Sequence, residues 1–410
     1  MPSAVSALAP YNGPVPLSFQ LRGGLYYFGF WGANGLYQGF LAVHFRELGL
    51  SPTQIGIAIA LFPLCNLLFS PLVAAWADAR QKRVAVLTAS LLALALSLLA
   101  LFFATGFWGV LMGMGALGLS QAFVAPLADS LIGRMASQNG LEYGRMRLWG
   151  SLSFALASSL AGLAWAQTGY EAMFIVAAVA TLPLLGVART LPEVVVAAGA
   201  RGNLFQTLRE LFLHDRGTLL LLWVVLLMGF GLGLAAPFLG LAIQDRGGAA
   251  AMVGFLYGTI ALVEVLTMRY ERRLSRWLGD AGVMMLASGL YALAYVGMAL
   301  ANHPAQMLAC GMVVGMGFGL FFVGSVRIID ARAKAHQVST LQSFRNGLAF
   351  GLAHLIAGPV GGVLYQAQGP TTLFLLVSFF FSLAFLMLWG ARGAINTLPP
   401  HTLAQSKTLA

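Results

Sequence analysis

The 410-residue chain draws 59% of its residues from the apolar set, 9% from the charged set, and carries a net charge of +10; its mean hydropathy is +0.83. Soluble domains hold about 25% charged residues, so this chain has too few charges to wet the surfaces of the two or three soluble domains its length would make. The 49 glycines and 16 prolines sit inside apolar runs, which excludes collagen-like and disordered chains. The basic residues come in short clusters between those runs, with no continuous basic domain for nucleic acid. Cys65 and Cys310 both lie in apolar segments, giving neither a disulfide framework nor metal-ligand spacing. No cofactor or metal is expected. The first twenty residues hold no lysine or arginine, so no cleavable signal with a basic start is read.

A bilayer-crossing helix needs about 20 mostly apolar residues. Twelve stretches qualify: 21–44, 53–77, 84–104, 107–135, 145–167, 171–190, 217–243, 249–273, 281–301, 304–328, 340–366 and 371–391. Runs such as 91–104 are continuously apolar and do not alternate, so the expected fold class is all-α integral membrane rather than β-barrel. With the N-terminus in the cytoplasm, the external connections hold only Arg46 and Arg246 of the 23 basic residues. Arg80, Lys82 and Arg83 follow the second span, and Arg269, Arg272, Arg273 and Arg276 end the eighth. That bias predicts a multi-pass protein of the cell (inner) membrane with both termini cytoplasmic. The connection 191–216 divides the chain into an N-terminal six-helix bundle (1–190) and a C-terminal one (217–391), followed by a cytoplasmic tail (392–410). A short amphipathic helix is expected in the linker at Leu204–Leu213.

An internal repeat relates the halves. Phe40, Leu41, Glu47, Gly49, Ile55 and Gly56 lie 198 residues before Phe238, Leu239, Asp245, Gly247, Val253 and Gly254. At the same offset Gly113 and Met114 meet Gly311 and Met312, and Arg147 meets Arg345. Parallel six-helix halves with a site between them near the midplane are an architecture of secondary transporters.

Three segments carry a family likeness. Ser70-Pro-Leu-Val-Ala-Ala-Trp-Ala-Asp78-Ala-Arg80-Gln-Lys82-Arg83 places an acid before a basic cluster between the second and third spans. Glu142-Tyr-Gly-Arg145-Met-Arg147-Leu-Trp-Gly150 opens the fifth span, with Asp129 upstream, and Leu48-Gly-Leu-Ser-Pro-Thr-Gln-Ile-Gly56 opens the second. In these the chain resembles the major facilitator superfamily, and within it the branch of lactose and phenylpropionate permeases and nucleoside–proton symporters. The resemblance implies two pseudo-symmetric bundles and a gate motif at Asp78, Arg80 and Arg83, although the usual glycines of that motif are missing. It also sets Asp129 and Arg147 where lactose permease grips its sugar. Departures are equally informative. That permease's histidine–glutamate pair falls at Val314 and Gly317, its sugar-stacking tryptophan at Phe154, and its ninth-helix arginine has no counterpart, so galactoside transport is not implied.

Of the thirteen acids only Asp129 and Glu264 lie well inside predicted spans. An ionised carboxylate in hydrocarbon costs at least roughly 2.5–3.5 kcal/mol on insertion scales, so it must be paired, hydrated or protonated. The turn near Asn139 sets Asp129 and Arg147 level on antiparallel helices, which predicts an ion pair. That pair either locks the fourth span to the fifth or takes part in binding or gating, the default for intramembrane ionisable groups. Arg147, Ser151, Phe154 and Ser158 share one stripe, as do Tyr27, Trp31, Asn34 and Gln38. Each stripe reads as a cavity wall or as polar glue between helices.

Glu264 shares a face with Tyr257 and falls opposite Asn66 in the repeat. No cation approaches it by helical spacing, so it is the expected proton carrier, a role the family resemblance supports. The repeat answers Asp129 with Arg327 and Arg147 with Arg345. Arg327 is expected to bridge Asp330, whereas Arg345 either lines the cavity or snorkels to the interface. His354 could relay protons, but a buried neutral hydrogen-bonded imidazole is the reading its position favours.

The expected function is therefore a secondary active transporter moving a sugar, nucleoside or aromatic acid by alternating access, coupled to protons in symport and working as a monomer in the lipid bilayer. A proton-driven efflux antiporter for sugars or drug-like compounds is the alternative, and a non-transporting sensor is a remote one. No nucleotide-binding loop is present, and no nucleophile–base set suggests an enzyme. Gly113, Gly311 and Gly315 are expected to ease the close helix contacts that rearrangement needs.

Overall fold

The computed structural model describes residues 19–193, 209, 215–334 and 337–397, without the side chains of residues 74, 75, 78 and 79. The expected linker helix at Leu204–Leu213, apart from Arg209, most of the tail and the Asp78 side chain therefore lie outside the described residues. Those described are helical, with no strand. In chain order the helices are α1 (Phe19–Gly35), α2 (Leu41–Glu47), α3 (Pro52–Arg80), α4 (Arg83–Phe102), α5 (Gly106–Gln138), α6 (Tyr143–Thr168) and α7 (Ala172–Arg189). There follow α8 (Arg216–Ala235), α9 (Leu239–Asp245), α10 (Ala250–Leu300), α11 (Pro304–Arg332), α12 (Val338–Asn346) and α13 (Ala353–Asn396).

Nine described helical runs are long and apolar enough to cross a membrane. Two of them double back. Gly279 (φ 70°) divides α10 and Gly369 (φ 79°) divides α13, each glycine taking the left-handed conformation that a side chain resists. With α1 and α2 continuing one another, this path is consistent with twelve passes. Leu96, Leu160, Leu293 and Leu386 are among the large apolar side chains left exposed, the outward-facing belt that a lipid solvent requires.

The repeat recurs in the backbone. A 3₁₀ turn, Gln38–Phe40, joins α1 to α2, and a second, Ala236–Phe238, joins α8 to α9 at the same 198-residue offset. Composition made spans 21–44 and 217–243 look continuous; Gly35 and Gly39 in one half and Pro237 in the other mark the breaks. Within the N-terminal half α5 packs on α3 and α4, whereas α6 packs on α1.

The halves meet along two seams, α6 against the first limb of α10 and α3 against the first limb of α13. Glycines allow both. A Cβ on Gly254 would stand 2.8 Å from the Gly162 Cα, and one on Gly358 would stand 3.1 Å from the Gly56 carbonyl oxygen. Such small-residue contacts are how helices approach closely in lipid. The seam glycines differ from the expected ones. Gly113 faces Leu101, Gly311 faces Leu256 and Gly315 faces Ile260, so these three pack helices inside a half.

Polar bonds tie the halves at the end away from the termini. Arg46 bonds Asp245 and the Gln244 side-chain oxygen, both at 2.5 Å. Gln244 donates to the Tyr170 hydroxyl at 3.2 Å, and Thr53 donates to Gln366 at 2.7 Å.

At the terminal end, Arg332 and Asp215 form a buried ion pair. The same guanidinium donates to the carbonyls of Ala394, Ile395 and Thr397 at 2.8–3.0 Å, so one side chain fastens the start of α8 and the ends of α11 and α13. Burial alone would raise the Asp215 carboxyl; the bonds from Arg332 and Thr218 outweigh it and hold the group below the usual carboxylate range.

Candidate functional site

The breaks in α1 and α8 lie toward the end where polar bonds tie the halves, the closed end, and the candidate site lies on the other side of the seams. There α1, α5 and α6 of the N-terminal half face α10 of the C-terminal half. Tyr27 of α1 and Tyr143 of α6 bring their hydroxyls within 2.8 Å of one another and donate to Asp129 Oδ1 at 2.5 and 3.2 Å. Asp129 is nevertheless solvent-exposed. Its carboxylate is satisfied by phenols while the residue stays exposed. Tyr143 escaped the sequence reading, although it stands inside the quoted Glu142–Gly150 segment. Its signal is the i, i+4 spacing to Arg147.

The expected Asp129–Arg147 ion pair is not among the described ones. These consecutive helices do not pack side by side: α5 leans on α3 and α4 while α6 leans on α1. Arg147 instead lays its guanidinium over Trp31, 4.6 Å from the ring centroid, and over Tyr27 at 5.5 Å. A planar cation on an aromatic face gains about 0.5–2 kcal/mol, more as water is excluded. Phe154 meets Trp31 edge-on, with centroids 6.3 Å apart. Ser151 is half-buried one turn along α6 from Arg147, but Ser158, further along, is fully buried in the seam against α10.

Glu264 supplies the opposing half's charge. It is half-buried, its backbone backed by Gly315 and Gly319 of α11. Helical spacing offered it no cation, yet the fold supplies one from the other bundle. Arg147 acts electrostatically on both Asp129 and Glu264. The buried Tyr291 hydroxyl, which has no described hydrogen-bond partner, also lies within electrostatic reach of Glu264. Asn66 is half-buried on the α3 face opposite exposed Leu68 and Leu72; its amide has no described bond.

Other expected residues stand elsewhere. Asn34, 2% exposed, is polar glue rather than cavity wall. It donates to the Phe30 carbonyl at 2.8 Å and accepts from Tyr37 and Gln121 at 2.9 and 3.0 Å. Gln38 is exposed in the 3₁₀ turn. Tyr257 presses its ring against Gly39 across the interface and donates to the Ala236 carbonyl at 2.9 Å, so it belongs to the closure between halves.

Arg345, 1% exposed, presents no open face. It donates to Ser325 and Asn346, both at 2.7 Å, and lies 5.1 Å from the Phe322 ring centroid. Arg327 bridges Glu271 at 3.0 Å and Asp280 at 2.6 Å rather than Asp330, which accepts from Gln342 at 2.8 Å. Sequence spacing favoured the near acid; the fold brings two others from α10. His354 follows a π-helical segment, Gly347–Leu352, and its Nδ1 lies 2.8 Å from the Ala349 carbonyl. A carbonyl only accepts, so Nδ1 carries hydrogen and is occupied, which suits a structural imidazole better than a relay.

Of the gate motif, Arg80 is exposed with its guanidinium 5.3 Å from the Trp76 ring centroid. Arg83 turns into its own half and donates to Ser130 of α5. The backbone N–H groups of Arg83 and Val84 bond the Glu193 carboxylate at 2.6 and 2.9 Å. That is a helix N-terminus capped by an anion, not a strut between halves. The His, Cys, Asp and Glu side chains described form no cluster of three that could hold a metal.

Comparison with known proteins agrees with this architecture. The chain is 29% identical to the maltose permease of Geobacillus stearothermophilus over 83% of its own length and 86% of the relative's. It is 26% identical to a probable 3-phenylpropionic acid transporter of Escherichia coli strain K12, covering 84% and 90%. A crystal structure of a mutant of the nucleoside transporter NupG superposes with TM-score 0.81 at 14% identity, over 91% of this chain and 99% of that one. These relatives are permeases and transporters, not enzymes. The model of the MFS_1 like family matches residues 21–376, more than four-fifths of the sequence, and the chain belongs to that family of membrane transporters.

Proposed function

We propose that this transporter is a secondary active carrier that takes up a small organic solute together with a proton, by rocking its two halves about the midplane site. One observation carries the reading. Arg147 of the N-terminal half lies over Trp31 and over Tyr27, the ring whose hydroxyl bonds Asp129, and its helix α6 packs along α10, the helix of the other half that carries Glu264. A cation shared across a moving interface couples what happens on one side to the other. When Glu264 takes a proton, one of the two negative charges facing Arg147 disappears, and the guanidinium is released toward a solute. When the proton leaves, Arg147 is drawn back. Solute and proton thereby cooperate through one group.

The substrate class we infer is a sugar, nucleoside or aromatic acid. Trp31, Phe154 and Tyr27 offer ring faces, Arg147 and Asp129 offer charged and hydrogen-bonding groups, and the similar proteins are named for maltose, phenylpropionic acid and nucleosides. With both termini cytoplasmic in the inner membrane, the seams close the outer side and the site opens inward. Asn66 and Ser151 complete the polar wall, and the protein works as a monomer.

The test is uptake into proteoliposomes from a panel of sugars, nucleosides and aromatic acids under an imposed pH gradient, comparing wild type with Glu264→Gln. The variant should retain solute exchange and lose pH-driven accumulation. Accumulation undiminished by the substitution would remove Glu264 from coupling, and a wild type that moves no solute would refute carriage altogether.

A further inference from the structure

The first limb of α10 is longer than a membrane needs. Residues 250–278 are helical, about 43 Å at 1.5 Å per residue, against a hydrocarbon core of about 30 Å. Starting from the closed end, roughly the first 20 residues cross that core. The rest reach the headgroup layer on the side of the termini. That extension carries Arg269, Arg272, Arg273 and Arg276, all exposed, and none has an ion-pair partner among the described residues. Two acids nearby are already engaged, since Glu271 and Asp280 both bind Arg327.

The direction of these side chains is fixed by helical phase. At 100° per residue, Arg269, Arg273 and Arg276 fall within an arc of about 80° that also holds Leu262 and Leu266. Those leucines are exposed at 48% and 53% in the stretch that lies within hydrocarbon, so the arc faces lipid. It therefore runs from apolar to basic as the helix leaves the acyl chains. Trp277, on the flank of the same arc, is 89% exposed. An indole at that level is a typical anchor at a membrane–water interface, and a cluster of arginines immediately beyond the hydrocarbon attracts anionic headgroups.

We propose that the end of this limb docks anionic phospholipid of the adjacent leaflet, through Arg269, Arg273 and Arg276 with Trp277 seated among the headgroups. Charge complementarity selects this occupant. The surface is basic, membrane-facing and level with the phosphates. Docking here would fasten the C-terminal half to the leaflet at the hinge formed by Gly279.

The experiment uses the full chain in phosphatidylcholine vesicles containing phosphatidylglycerol or phosphatidylcholine brominated on the acyl chain next to the headgroup. Trp277 fluorescence is isolated as wild type minus Trp277→Phe. Brominated phosphatidylglycerol should quench it at a mole fraction at least about fivefold lower than brominated phosphatidylcholine, the factor expected from each basic contact at the surface. The preference should approach unity in 1 M salt, where the Debye length is about 3 Å, and in the triple variant R269Q/R273Q/R276Q. Millimolar soluble glycerol phosphate should leave it intact. Equal quenching by the two lipids, a preference surviving the triple substitution or high salt, or its loss to soluble glycerol phosphate would each overturn the proposal.

Discussion

Replacing Arg46 by alanine removes the charged part of the tie between halves and should shift the protein toward the state open at that end. The lost bonds are the ion pair to Asp245 and the hydrogen bond to Gln244, each at 2.5 Å. Both ion-pair partners are about one-third exposed, at 31% and 33%, so solvent screening holds that pair to about 0.2–1 kcal/mol. The bond to the neutral amide adds about 1 kcal/mol. Together they amount to about 1–2 kcal/mol, a factor of roughly 5–30 in the ratio of the two states. Gln244–Tyr170, Thr53–Gln366 and the glycine seams remain, so the fold should survive. Spin labels at Glu47 and Ala249, both exposed at the closed end, would read the change in a background with Cys65 and Cys310 replaced by alanine. The Arg46→Ala variant should show a larger long-distance population. An unchanged distance distribution would refute the idea that this bond holds the end shut.

Gly254→Leu should open the same end by sterics, because its Cβ would meet the Gly162 Cα at 2.8 Å and backbone cannot step aside; the same label pair should lengthen while transport falls. Tyr143→Phe removes a donor to Asp129 and should weaken solute binding up to about fivefold, the value of one hydrogen bond of about 1 kcal/mol, with no change in the circular dichroism spectrum. The Arg332–Asp215 pair predicts a pH effect with a definite sign. The folded carboxyl titrates below its unfolded value of about 3.9, so its stabilisation is complete above that value and is lost as pH falls through the lower folded one. Melting in detergent should show this acid loss in wild type. In Asp215→Asn the melting point at neutral pH should be lower and its acid dependence weaker, whereas identical pH profiles would contradict the assignment.

Membrane character and helical class could be read from the sequence because lipid imposes them residue by residue. An apolar run of about 20 residues has few other fates, and the 198-residue offset that aligned Phe40 with Phe238 reappears as paired 3₁₀ turns. The charged residues of the candidate site were visible for the same energetic reason, as Asp129, Arg147 and Glu264 are costly in hydrocarbon and therefore stand out. Their partners were not. Helical spacing sees only one helix, and chain adjacency suggested that α5 and α6 pack together. Tyr27 and Tyr143 therefore took the place expected for Arg147, and Arg147 lies instead over the rings of Trp31 and Tyr27. Arg327 shows the same limit: Asp330 is near in sequence, while Glu271 and Asp280 are near in space. Asn34 and Arg345 looked like cavity groups because polarity marks a residue as unusual without saying whether protein or solute satisfies it.

The most direct test of proton-coupled carriage is the proton movement that solute alone drives. Vesicles holding the purified protein and a pH-sensitive dye, with no imposed pH or voltage gradient, are given an inward gradient of the solute found by uptake screening. The lumen should acidify in wild type, and the signal should vanish in Glu264→Gln while solute exchange continues. A lumen whose pH stays constant as wild type takes up solute would contradict coupling through Glu264 and leave a uniporter in its place.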